Sequence, residues 1–103
     1  MSLQDLEAQR HRLRRLRILQ TLYMGRPNPM GDGLILQALK GDYDLSFSQS
    51  IVRNALDYLE DVNLVQLLKR ESDLWVAKIS SNGIDYLDGL SDPLPGVAQP
   101  GDF

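Results

Sequence analysis

The stretch that most constrains this chain is residues 48–63. Val52, Ala55, Leu56, Leu59 and Val62 recur at the i, i+3, i+4, i+7, i+10 spacing of a single buried helix stripe. Gln49, Ser50, Arg53, Asn54, Asp57 and Glu60 occupy the opposite face. Directly after this helix the apolar period shortens to that of strands. Residues 64–70 and 74–80 are rich in Leu, Val, Ile and Trp, and in the second run Trp75, Ala77 and Ile79 alternate with Leu74, Val76 and Lys78. Glu71, Ser72 and Asp73 between them form a polar turn of hairpin length. Helices alone would leave the 48–63 stripe half exposed. A hairpin whose inner face is Val65, Leu67, Trp75, Ala77 and Ile79 closes over it.

The flanking segments supply the rest of a small core. Residues 3–24 lack Pro and Gly and are built from strong helix formers, with Ser2 as N-cap, Asp5 as its acidic partner and Gly25 as a C-cap. Leu13, Leu16, Ile18, Leu19, Leu22 and Tyr23 give its second half an apolar face, whereas Glu7 to Arg12 contributes only Ala8. Residues 25–33 are a Gly/Pro/Asn loop. Asp32 can cap a short helix, 33–40, with an apolar face of Leu34, Ile35, Ala38 and Leu39. Leu45 and Phe47 point inward from the turn that follows, and Ser46 or Ser48 starts the next helix. Ser80 or Ser81 caps a last helix, 82–90, with Ile84, Leu87 and Leu90 spaced by three. Residues 91–103 hold three prolines and two glycines and read as an extended tail attached to a 1–90 domain.

At 103 residues the chain is one domain's worth. It has no cysteine and one histidine, His11, so disulfides, thiolate chemistry and multi-histidine metal sites are excluded and no cofactor or metal is expected. No apolar run approaches the roughly 20 residues of a membrane helix, and the first residues are too polar for a signal peptide, which points to the cytoplasm. Charge is uneven: residues 1–40 carry seven Lys/Arg and three acids, whereas 41–103 carry four and eleven. A polyanion is attracted to the first part and repelled by much of the second.

The predicted order is helix, helix, helix, strand, strand, helix, an order that admits one more short strand. The fold class is therefore mainly α with a small β-hairpin: a winged helix-turn-helix in which 48–62 is the second helix of the motif and 64–80 is the wing. The run Ala55-Leu56-Asp57-Tyr58-Leu59-Glu60-Asp61-Val62-Asn63-Leu64-Val65 resembles the "L-x-x-L-x-x-x-G-L-V" end of winged-helix recognition helices, with Asn63 where those families place glycine. Asn tolerates the left-handed conformation required there. Leu74 to Gly83 resembles their second wing strand and following helix start. With the tail Pro95-Gly96-Val97-Ala98-Gln99-Pro100, nearly the whole chain is similar to the small winged-helix proteins of Mu-like phages and prophages, often labelled ArsR-like. That resemblance implies a bacterial host cytoplasm and a transcription-regulator type of protein. The metal-sensing branch of ArsR proteins uses cysteine-rich sites, so no sensing role carries over.

Candidate DNA-binding residues fall in three groups. Ser48, Gln49, Ser50, Arg53 and Asn54 open the 48–62 helix, where helix-turn-helix proteins reach base edges; Gln and Asn pair with adenine, and Arg with guanine. Lys69 and Arg70 on the wing can contact phosphate, although Glu71 and Asp73 blunt them. The run Arg10-His11-Arg12-Leu13-Arg14-Arg15-Leu16-Arg17 offers further phosphate contacts, Arg14 and Arg17 among them, but reads equally as a solvated helix face. Against all three, Asp57, Glu60 and Asp61 leave residues 47–62 net negative. Trp75 reads as core, and Tyr43, Tyr58 and Tyr86 form no stacking platform. The acidic pairs Asp42/Asp44 and Glu60/Asp61 lack a nucleophile or metal set, and no phosphate loop is present, so an enzyme is not expected.

Two functions follow: a regulator binding duplex DNA as a homodimer through helix 48–62 and the wing, or a winged-helix protein-protein interaction module of phage development or assembly without DNA binding. Leu3 and Leu6 lie beyond what a small core covers and suggest dimerisation through the first helix. Truncation of residues 1–9 should shift the protein toward monomer in light scattering; a wild-type monomer at high concentration would refute the dimer.

Overall fold

The computed structural model describes residues 2–102, without the Asp102 side chain. Helix α1 spans Leu3–Gly25 and opens on a complete capping box: Ser2 Oγ accepts from the Asp5 N–H at 3.1 Å, and Asp5 Oδ2 accepts from the Ser2 N–H at 3.3 Å. Only its second half is core, through Leu16, Ile18, Leu19 and Leu22, while Leu3 is 75% exposed. Strand β1 (Met30–Gly31) leads into α2 (Asp32–Leu39). Helix α3 (Gln49–Asp61) is capped by Ser48, whose Oγ accepts from the Ile51 N–H. Strands β2 (Val65–Arg70) and β3 (Trp75–Ile79) form the hairpin, and α4 (Ser81–Leu87) is capped by Ser80.

The three strands form an antiparallel sheet ordered β1-β3-β2. Met30 lies opposite Ala77, and Ala77 lies opposite Leu67, so β3 is the central strand and its Ala77 is fully buried. A bulge between Leu67 and Lys69 leaves Leu68 unpaired and exposed. The α3–β2 junction depends on Asn63 at φ +65°. The Leu64 N–H reaches Leu59 O and the Asn63 N–H reaches Glu60 O, both at 2.9 Å, which is a Schellman stop with asparagine in the left-handed position. It turns the chain directly from the α3 stripe into the strand that covers it.

Two expectations are corrected. The face of α2 is not Leu34, Ile35, Ala38 and Leu39: Leu34 is 59% exposed and Ala38 is exposed too. The buried stripe runs Asp32, Ile35, Leu39 with Leu36 half-buried. Asp32 is thus the first residue of the helix rather than its cap, and fixing a polar residue inward rotates Leu34 out. Helix α4 ends at Leu87, before Gly89 at φ +77°, so Leu90 is exposed.

Residues 91–99 carry no regular structure, yet the segment is no free tail: it packs on the domain through two core residues. Val97 and Ala98 are fully buried. The Ala98 N–H donates to Arg12 O at 3.2 Å, and Tyr86 Oη donates to Val97 O at 2.7 Å. Arg12 Nε and Arg15 Nη1 donate to the Pro95 and Gly96 carbonyls at 2.8 and 2.9 Å. Gly96 lies so close to the Tyr58 hydroxyl that any Cβ there would overlap it. The last residue of the expected tail, Phe103, lies outside the described residues. Tyr86→Phe should leave the buried Val97 carbonyl without its donor and cost about 1–2 kcal/mol, seen as a lower urea midpoint at unchanged m-value.

Candidate nucleic-acid interface

The opening turns of α3 present a polar surface. Gln49, Ser50 and Asn54 are exposed. Ser48 is half-buried, its hydroxyl engaged by the cap and 3.3 Å from Ser50 Oγ. No acid lies among these residues; the first on the helix is Asp57.

Arg53 does not share that surface. Its Nε donates to Asp32 Oδ2 at 2.7 Å, and its Nη1 donates to Ser72 O in the hairpin turn at 3.0 Å. The remaining Nη2 is buried without a partner, and the guanidinium centre lies 5.3 Å from the Trp75 ring centroid. The expected guanine contact is therefore not available in this conformation: the side chain is consumed in joining α3 to α2 and the hairpin turn. Asp32 is 3% exposed and also accepts from the Trp75 N–H at 3.2 Å. Burial opposes its charge, but the bonds from Arg53, Trp75 and Gly33 and the guanidinium charge outweigh it and hold its pKa below the ordinary 3.8.

Arg70 at the end of β2 is also engaged. It pairs with Asp57 at 2.8 Å and Glu60 at 3.9 Å, and it stacks on Trp75 at 4.7 Å. Glu60 in turn accepts from the Leu67 N–H at 2.9 Å. The α3 acids that weigh against a DNA-binding helix thus face a hairpin cation. Lys69 is exposed.

The arginines of α1 form no single stripe: Arg12, Arg14 and Arg15 tie the helix to other segments through backbone carbonyls, whereas Arg10 and Arg17 pair with acids at the surface. Arg14 is 7% exposed, and its Nε donates to Leu45 O at 2.7 Å. Arg15 lies 3.7 Å over the Tyr58 ring; burial lowers its pKa, and Tyr58 works against that shift. Arg17 donates to Gln20 Oε1 at 2.9 Å and lies 3.8 Å from Asp42, and Arg10 pairs with Glu7 at 2.7 Å. Backbone carbonyls of the 42–47 turn and the 95–96 segment leave no side-chain signature, so a sequence reading could not name these partners. Asp32 was legible only through its place at the head of the 32, 35, 36, 39 spacing.

The structure does bring α1 cations beside α3. A cleft of about 110 Å³ between the two helices is walled by His11, Arg14, Arg15, Ile51, Asn54 and Ala55. Among the described residues no group of three His, Cys, Asp or Glu side chains is placed to hold a metal, and no helix is long and apolar enough to cross a membrane. No family model, curated protein or solved structure matches the chain.

Arg53→Met strands a charged, buried Asp32 and should destabilise the fold by an amount toward the low end of about 3–5 kcal/mol. Because the Asp32 pKa is lower folded than unfolded, its contribution is present above pH 3.8 and lost as pH falls below that through the folded value. Asp32→Asn should flatten this acid limb in urea unfolding run across pH, and combining it with Arg53→Met should cost less than the sum of the two.

Proposed function

We propose that this chain is a winged helix-turn-helix protein of phage or prophage origin, of transcription-regulator type, that binds duplex DNA. What supports it is the arrangement: α2 and α3 follow one another as a helix-turn-helix pair would, and the β2–β3 hairpin that follows, joined by β1 into one sheet, stands where a wing would. The observation that carries the reading is the acid-free face of Gln49, Ser50 and Asn54, exposed on the first two turns of α3 and flanked by His11, Arg14 and Arg15 across the cleft. With Arg53 held by Asp32, readout falls to Gln49 and Asn54, whose amides pair with adenine. Phosphate contact on the wing falls to Lys69, since Arg70 is neutralised by Asp57 and Glu60. The protein acts as a homodimer through the exposed Leu3 and Leu6 end of α1, with two-fold symmetry matched to a palindromic site. It is a binding protein of the bacterial cytoplasm rather than an enzyme.

A second reading, a protein-protein interaction module of phage development or assembly without DNA binding, is favoured by one specific observation. The arginines best placed for DNA, Arg53 and Arg70, are both spent on carboxylates of the same molecule. Genome-fragment selection with the purified protein at low salt separates the two. Under the DNA reading fragments are enriched, and Gln49→Ala or Asn54→Ala costs about 1–3 kcal/mol at an adenine-containing site. Lys69→Ala then weakens all sequences alike and reduces the salt slope by about 0.9. Failure to retain any fragment at low salt removes the DNA reading and leaves the interaction module.

A further inference from the structure

The cleft between α1 and α3 holds more positive charge than the fold compensates. Arg14 is more than nine-tenths buried, and its one hydrogen bond goes to a neutral carbonyl, Leu45 O. Arg15 is held by neutral groups as well, the Gly96 carbonyl and the Tyr58 ring. Arg10, Arg17, Arg53 and Arg70 each have a carboxylate beside them. Among the described residues neither Arg14 nor Arg15 has a carboxylate at ion-pair distance; Glu7 feels the Arg14 charge, but its carboxylate is bonded to Arg10. A buried cation without a counter-charge is unfavourable, and the unfavourable energy falls when an anion arrives. No acid lines the cleft, Asn54 adds a side-chain amide, and His11 stands exposed at the rim.

We infer that this cleft binds one phosphate group, held by the Arg14 and Arg15 guanidiniums and the Asn54 amide. Forked guanidiniums match the oxygens of a phosphate in geometry as well as charge. A space of about 110 Å³ accommodates one tetrahedral oxyanion but falls short of the roughly 300 Å³ and more of small-molecule pockets. That a duplex supplies the phosphate rests on the DNA-binding reading above, in which a strand crossing Asn54 passes the mouth of the cleft. A free phosphate monoester presents the same oxyanion.

The test uses the full chain, isotope-labelled for NMR, titrated with inorganic phosphate against sodium chloride of equal ionic strength. Phosphate should shift the Arg14 and Arg15 Nε–H signals and the Ile51, Asn54 and Ala55 amides saturably, with a dissociation constant on the order of 1 mM. Arg14→Gln should weaken this at least about tenfold. Because that variant also loses the Leu45 contact and can fail to fold, His11→Asp provides an exposed change that sets a negative charge at the rim and should weaken binding similarly. Absence of cleft shifts beyond the chloride control, or unchanged phosphate binding in a folded His11→Asp protein, overturns the site. A short duplex that moves the same signals and is displaced by phosphate identifies the DNA backbone as the source. Phosphate binding without duplex binding supports the cleft and removes the DNA reading. Duplex shifts confined to Gln49 and Ser50, with phosphate still moving the cleft signals, keep both readings and make a free phosphate group rather than the DNA backbone the occupant of the cleft.

Discussion

A single buried carboxylate organises this fold. Asp32 stands at the first position of α2 and accepts from Arg53 on α3 and from the Trp75 N–H on β3. Arg53 extends the connection to the Ser72 carbonyl in the hairpin turn. Two helices and the hairpin are therefore fixed to one another through one ion pair that is almost out of water. Such a pair contributes little net stability over an apolar substitute, but breaking half of it is severe, so its value lies in specifying one arrangement of the parts. It also sets the rotation of α2, turning Ile35 and Leu39 inward and Leu34 out.

The same economy of charge shapes the surface. A chain with an arginine-rich helix suggests a surface for polyanions, yet Arg12, Arg14 and Arg15 donate to backbone carbonyls that close the 42–47 turn and the C-terminal segment onto α1. Bonds to buried carbonyls are little screened by salt, unlike exposed ion pairs. What remains for a partner is narrow: a neutral polar face on the first turns of α3, the exposed Lys69 and Lys78 on the hairpin, and a small cleft whose two cations have no carboxylate at ion-pair distance among the described residues. That pattern favours contact by amide hydrogen bonds and a local anion site over a broad electrostatic grip.

Local signals carried far in this sequence. The helix stripe of Val52, Ala55, Leu56 and Leu59, the caps at Ser2, Ser48 and Ser80, the left-handed Asn63 and the alternating hairpin all describe interactions between residues close in the chain, and each is present in the structure. Where the reading departed, the deciding contact was distant. Arg53 and Asp32 are 21 positions apart, and Arg12 and Pro95 are 83 apart. An exposed arginine on a polar helix face and a buried one look alike until the partner is placed beside it.

The sequence by itself determined the order of the helices and the hairpin, the position of the core stripe and the stop that turns α3 into the hairpin, because periodicity, capping and backbone sterics act over a few residues; β1, read as loop, exists only by pairing with β3. Only the tertiary structure decided that the Pro/Gly-rich C-terminal segment completes the core, that Arg53 is held by Asp32, that Arg70 pairs with the α3 acids at the surface, and that Arg14 and Arg15 share a cleft with Asn54. The physical reason is that a charged side chain takes its role from whichever polar group burial places within about 3 Å of it, and that neighbour comes from elsewhere in the chain.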